Sequence, residues 1–207
     1  IILTLDEARQ EKAIIHPKDH HQLAQQAANE GIVLLKNDAN LLPINTKKSQ
    51  SIAVIGRFAK EPRFQGSGSS LVNPTKIDSL WDSLSAELQN GELSYAAGYD
   101  ETHHINEELI LAAVEAAQNC NLAIVCIGLP ESFETEGTDR KHIELPLGHH
   151  TLIERVLAVQ TNTIVILTNG SPVEMPWLNQ ASTVVEGWLF GQGGGAAISH
   201  ILTGKIT

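Results

Sequence analysis

Five carboxylates crowd the stretch GLPESFETEGTDRKHIELP, residues 128–146: Glu131, Glu134, Glu136, Asp139 and Glu144. They come directly after NLAIVCIGL, a run apolar enough to be a buried strand. A solvated charged loop is the ordinary reading of such a cluster. This one also holds Glu136-Gly137-Thr138-Asp139-Arg140, a carboxylate beside a flexible glycine and an Asp-Arg pair. A carboxylic acid that donates a proton near neutral pH needs burial to raise its pKa, while nearby charges pair among themselves. Glu136 is the candidate for that work, and Asp139 and Arg140 are candidates to pair with neighbouring loops.

Other motifs offer competing chemistry and fail in detail. QGSGSS, residues 65–70, follows a strand-like run, yet nine residues separate Gly56 from Gly66 where a dinucleotide fingerprint wants its glycines at the turn itself. No Gly-Lys-Ser or Gly-Lys-Thr follows, so a phosphate loop is not expected either. A loop that brings backbone amides and Ser69 or Ser70 to a polar ligand fits better. Histidine pairs at 20–21, 103–104 and 149–150 suggest metal, but adjacent side chains diverge on a helix or strand and no HExxH accompanies them. Exposed or helix-capping histidines are the expectation, with no metal and no cofactor. NGSPVEMP is not a G-x-S-x-G nucleophile elbow, which leaves a Ser-His-Asp hydrolase poorly supported and Glu174 an interfacial or structural carboxylate.

These loops need a scaffold, and the pattern supplies one. HHQLAQQAANE reads as a helix capped by Asp19, and GIVLLKN as an extended segment. SIAVIG, LSYAAG, NLAIVCIGL, TIVILTNG and STVVEGWLF read as strands. Between and after them come helices over LWDSLSAELQN (opened by Ser79), NEELILAAVEAAQNC, HHTLIERVLAVQ and GGAAISHILTG. Strands alternating with helices predict an α/β fold: an open, mainly parallel sheet of about five to six strands sandwiched between helices. Ligands of such sheets bind at the carboxyl ends of the strands, where the Gly/Ser loop and the acidic loop both fall. Residues 1–17 read as a linker from something upstream, and 18–207 as the domain.

Bulk properties narrow the partners. A formal net charge of −10 over 207 residues opposes nucleic acid and anionic membrane surfaces, whereas neutral sugars remain compatible. The two cysteines, Cys120 and Cys126, flank or occupy an apolar run and are expected as buried free thiols. With few cysteines and no visible signal segment, the expectation is cytoplasmic.

Taken in order, ANEGIVLLKND, LLPI, SIAVIG, PRFQGSGSSLVNPT, ETEGTDR…ELP, NGSPVEMPW and WLFGQGGGAAISHILTGKI resemble glycoside hydrolase family 3, the β-glucosidase-like enzymes, over about residues 24–207. The match is to the α/β sandwich that forms that family's second domain. The resemblance implies a retaining exo-β-glycosidase acting on a neutral oligosaccharide or β-glycoside, without nucleic acid or membrane as partner. Its Asp nucleophile would lie on a preceding (β/α)8 barrel, and its general acid/base Glu on the sandwich. Glu136 stands at the acid/base position of the E-G-x-D-R pattern, and the loop around Gly66 to Ser70 matches the one bordering the sugar. Ser69, Gly68, Ser67, Arg63, Asp139 and Arg140 are thereby candidates to bind substrate, Ser69 foremost. No barrel and no Ser-Asp-Trp nucleophile motif occurs in these residues, and the family's sandwich continues past the position of Thr207, so a C-terminally truncated domain of a longer chain, inactive by itself, is expected. Thr138 stands where Tyr is more familiar. Some branches of the family take the proton from a His–Asp dyad on the barrel instead. A carbohydrate-binding or interaction module on the same scaffold is the alternative from another class, and a nucleotide-binding α/β protein a third.

Overall fold

The computed structural model describes residues 16–88 and 90–206. The linker reading of residues 1–17 lies almost entirely outside them, and Pro17 opens the first helix, α1 (Pro17–Gly31). Asp19 sits inside the first turn of α1, not at its cap. His16 is the N-cap residue, and Pro17 fits the first helical position because an N–H there would have no partner in any case. Gln192 Nε2 donates to His21 Nδ1 at 2.8 Å, and His21 Nε2 meets Asp78 Oδ2 at 2.7 Å, which ties α1 to the rest of the domain.

Six strands follow: β1 (Val33–Asn37), β2 (Ser51–Ile55), β3 (Glu92–Ala96), β4 (Leu122–Gly128), β5 (Thr163–Thr168) and β6 (Thr183–Glu186). They form one sheet in the order β1-β6-β5-β4-β2-β3. All neighbours are parallel except β1, which pairs antiparallel with β6 at the edge. The expected mainly parallel α/β sheet is thus present, with the segment read only as extended supplying its antiparallel edge.

Period-two burial explains why the central strands read as unbroken apolar runs. On β4, Ala123, Val125 and Ile127 pack to one face, and Leu122, Ile124 and Cys126 to the other. The first face is covered by α3 (Glu107–Gln118) through Ile110, Ala113 and Ala117, and by α4 (Leu147–Val159) through Leu152, Ile153 and Val156. The second is covered by α2 (Leu80–Glu87) and α5 (Gly194–Thr203) through Leu80, Leu84, Ile198 and Leu202. Each fully buried aliphatic side chain contributes about 1.5–3 kcal/mol. Helix starts follow local chemistry: Ser79 accepts from the Asp82 amide to open α2, and Asn106 accepts from the Leu109 amide to open α3. Cys126 is buried, and burial raises its thiol pKa to about 12; Cys120 is only half-buried.

Strand β6 is shorter than the run STVVEGWLF suggests. It stops at Glu186, whose Oε1 accepts the Trp188 amide at 2.8 Å, and Trp188 takes a φ of 59° that no strand permits. Strands β4, β5 and β6 step one way along the sheet, while β2 and β3 step the other. The order reverses between β2 and β4, and the crevice beyond their carboxyl ends is where such sheets hold ligands.

Candidate functional site

Both long loops emerge at that reversal, the Gly/Ser loop from β2 and the acidic loop from β4. They meet at several points. Ser69 donates to Glu136 Oε2 twice, from its hydroxyl at 2.6 Å and from its amide at 3.0 Å. Ser67 Oγ donates to the Glu134 carbonyl at 2.7 Å. Gly68 lies between these contacts with a φ of 71°, and a Cβ there would stand 2.8 Å from Glu136 Oε2 and 2.9 Å from Glu136 Cβ. The loop therefore needs glycine at 68 for backbone conformation and for space.

Glu136 is exposed, and the Ser69 hydroxyl and amide hold its pKa below the usual carboxylate value. Burial, the cause anticipated from sequence for a raised pKa, is outweighed by these two bonds in this domain. Glu134 is the carboxylate that goes inside. Its side chain is 12% exposed and pairs with Arg63 Nη1, which also donates to the Leu129 carbonyl at 2.7 Å. Ser171 Oγ donates to Glu134 Oε1, and the Gly170 amide donates to Oε2 at 2.8 Å. Burial pushes the Glu134 pKa up, but Ser171, Arg63 and Gly170 together outweigh it and hold the group below its ordinary value.

The network continues to β6. Asn169 Nδ2 donates to the Ser171 carbonyl at 3.1 Å and to Glu186 Oε2 at 3.2 Å. Glu186 is buried, and burial raises its pKa. Of the residues marked from sequence, Glu136, Ser69 and Gly68 thus come together, whereas Ser67 and Arg63 gather around Glu134 behind them. Arg140 Nη2 donates to the Pro172 carbonyl at 2.6 Å, bracing the acidic loop against the loop after β5. Asp139 is exposed and forms no ion pair among the described residues.

Sequence reasoning does not single out Glu134, Asn169 or Glu186 for these roles. The one available signal is Glu186 itself, a charge set within the apolar run STVVEGWLF. The histidine expectation needs correction. His149 is fully buried, accepts from the Gly128 amide at Nδ1 over 3.2 Å, and meets His103 Nδ1 with its Nε2 at 3.0 Å. The Gly128 contact assigns the His149 proton to Nε2. The Tyr99 ring lies 4.0 Å from that of His149, centroid to centroid, and Tyr99 donates to the Cys126 carbonyl at 2.9 Å. Among the described residues no group of three potential metal ligands converges.

A cavity of about 240 Å³ borders the site, lined by Arg63, Gly66, Leu71, His103, Pro130 and Glu131 among others. A larger groove of about 750 Å³ lies between α1 and β1, and no residue of the acidic loop reaches it. Among the described residues no helix is long and apolar enough to cross a membrane.

Residues 32–207 match the family model of the glycosyl hydrolase family 3 C-terminal domain. The chain belongs to that family. Thermostable beta-glucosidase B of Acetivibrio thermocellus is 44% identical over 208 residues, covering 100% of this chain and 27% of that enzyme. An exo-alpha-(1->6)-L-arabinopyranosidase of Bifidobacterium breve is 39% identical over 91% of this chain and 26% of its own length. The crystal structure of a GH3 beta-glucosidase from Bifidobacterium adolescentis shares the fold with a TM-score of 0.88 and 37% identity, over 97% of this chain and 29% of that one. This family 3 domain thus spans about a quarter of the length of the curated relatives it matches. The family expected from the ordered motifs is the family found.

Proposed function

We propose that this domain serves a retaining exo-β-glycosidase that releases terminal β-linked sugars from neutral glycosides. Glu136 is its general acid/base, and an Asp on a companion barrel domain is its nucleophile. The observation that carries the reading is the placement of Glu136: an exposed carboxylate at the topological reversal of a parallel sheet, oriented by the Ser69 amide and hydroxyl. Two of the relatives above, named a β-glucosidase and an arabinopyranosidase, support the reaction class.

In this reading the two carboxyl groups flank the glycosidic bond about 5–5.5 Å apart, as retention requires. Glu136 begins the cycle protonated and gives its proton to the leaving oxygen as the Asp attacks. The domain alone favours the carboxylate, because Ser69 stabilises it. Closure against sugar and barrel removes water from Glu136 and raises its pKa, which supplies the acid form. Once the proton is given away, the Ser69 contacts suit the carboxylate that must next deprotonate the attacking water.

The test is Glu136→Ala in the full-length enzyme, assayed on aryl β-glycosides of graded leaving-group pKa with and without azide. Loss concentrated on poor leaving groups, together with azide restoring turnover as a β-glycosyl azide, is the expected result. Equal loss on every substrate and no response to azide would overturn the assignment.

A further inference from the structure

We propose that Glu134 is the positioning residue of the acid/base loop: its half-buried carboxylate locks the loops after β2, β4 and β5 into one frame that sets where Glu136 stands. The inference rests on the reading of Glu136 as the acid/base. The contacts of Glu134 come from two different loops. Arg63 reaches it from the loop after β2, and Gly170 and Ser171 reach it from the loop after β5. The same Arg63 nitrogen holds the Leu129 carbonyl, where the acidic loop leaves β4. The Glu134 main chain is fixed as well, by Ser67.

Consequently residues 67–69 and 134–136 are joined by two rungs spaced two residues apart on both segments, Ser67 to Glu134 and Ser69 to Glu136. The inner rung stands on the ion pair, and the outer rung holds the reacting group. Packing leaves little slack: a Cβ on Gly170 would stand 3.3 Å and 3.4 Å from the two Glu134 carboxylate oxygens. Arg63 Nε and Nη2 are buried and have no partner among the described residues, so the guanidinium depends on Glu134 for its counter-charge. Glu134 is not itself the proton donor. Both its oxygens accept bonds from fixed donors, and its carboxyl is turned inward.

The decisive experiment uses Glu134→Gln in the full-length enzyme, beside Glu136→Ala and the double variant. Glutamine keeps the volume but removes the charge and offers one accepting oxygen where two are used. The expected result is a loss of kcat/KM of about ten- to a hundred-fold on poor leaving groups, with activated aryl glycosides far less affected. The basic limb of the pH profile shifts as well, because the surroundings of Glu136 change. In the double variant, Glu134→Gln adds no further leaving-group dependence to that of Glu136→Ala. Ser171→Ala, which keeps the ion pair and removes one donor, gives the same selectivity with a smaller loss and guards against misfolding of the first variant. Equal losses on all leaving groups in both variants, with an unmoved pH profile, would reduce Glu134 to a structural ion pair and overturn the inference. Selectivity that adds independently in the double variant would overturn it too. Should Glu136→Ala itself show no leaving-group dependence, the proposed function falls, and the inference with it. A selective Glu136→Ala beside an unselective Glu134→Gln sinks the inference alone.

Discussion

Replacing Gly68 by alanine probes the site through a single carbon. Gly68 sits at φ 71°, in the left-handed region, where an L-residue costs about 1–2 kcal/mol. That backbone term is a floor for the loss of folding stability, because a second effect adds to it. The new Cβ would lie 2.9 Å from Glu136 Cβ and 2.8 Å from its Oε2. An ordinary carbon–carbon contact is about 3.5–4.0 Å, so one partner must retreat by roughly 0.6–1 Å. The Glu136 carboxylate can swing aside, but its Cβ moves only with the backbone of the acidic loop, so relief displaces the reacting group whichever segment yields. A misplacement of about 1 Å at a reacting group costs on the order of a hundred-fold in rate. Gly68→Ala in the full-length enzyme should therefore remain folded, lose at least about 1–2 kcal/mol in denaturant titration, and lose about ten- to a hundred-fold in kcat on substrates with poor leaving groups. Gly191→Ala is the matched control: its φ is 69°, yet a Cβ there meets nothing within 4 Å. It should show the backbone cost alone, about 1–2 kcal/mol, with kcat nearly intact. A folded Gly68→Ala enzyme with full kcat on poor leaving groups, or a Gly191→Ala enzyme equally impaired, would refute the reasoning.

Two further outcomes concern pH. Ser69→Ala removes the hydroxyl that most lowers the Glu136 pKa, so the basic limb of kcat/KM, which tracks loss of the protonated acid, should move to higher pH; an unmoved limb would separate Ser69 from the reacting proton. His149 and His103 both have pKa values lowered, burial first among the causes, with His149 far below its ordinary value. The unfolded chain then takes up protons before the folded one as pH falls through about 6.5. Stability is full above that pH and declines below it, for His149 by about 1.4 kcal/mol per pH unit. Denaturant midpoints of the sandwich transition from pH 8 to 5 should fall accordingly, and less steeply in His149→Gln; identical slopes would show that this histidine is not the linked group.

How much of this is legible follows from which interactions are local. Burial on both faces makes β4 and β5 continuous apolar runs, and Ser79 and Asn106 announce their helices within three residues. Those features read directly from the chain, as do the ordered motifs. The features that sequence reasoning misses are products of distant partners. Glu186 ends β6 early by turning back on the Trp188 amide, held there by Asn169 from another strand end. His149 reads as a cap because it opens an apparent helix, yet α4 begins two residues earlier and carries it into the core against Tyr99 and His103. Glu134 reads as one loop acid among several, since nothing near it in sequence reveals Arg63 or Ser171.

The division between Glu134 and Glu136 has a physical logic that sequence counting misses. A half-buried carboxylate with a buried arginine and fixed donors around it is held in one charge state, because protonation would strand the arginine charge. Such a group makes a firm frame and a poor proton carrier. A group that must change protonation twice per turnover needs surroundings that change with the reaction, and an exposed loop facing a closing site provides them. Glu136 meets that requirement, since among the described residues its only donors come from Ser69, and the carboxylate is otherwise open to solvent. Two residues apart in the chain, the two acids differ in burial: Glu134 is half-buried and Glu136 exposed. In the roles proposed above, the carboxylates after β4 therefore act in different ways. Glu131, Asp139 and Glu144 remain exposed, Glu134 builds the frame, and Glu136 is left free to titrate.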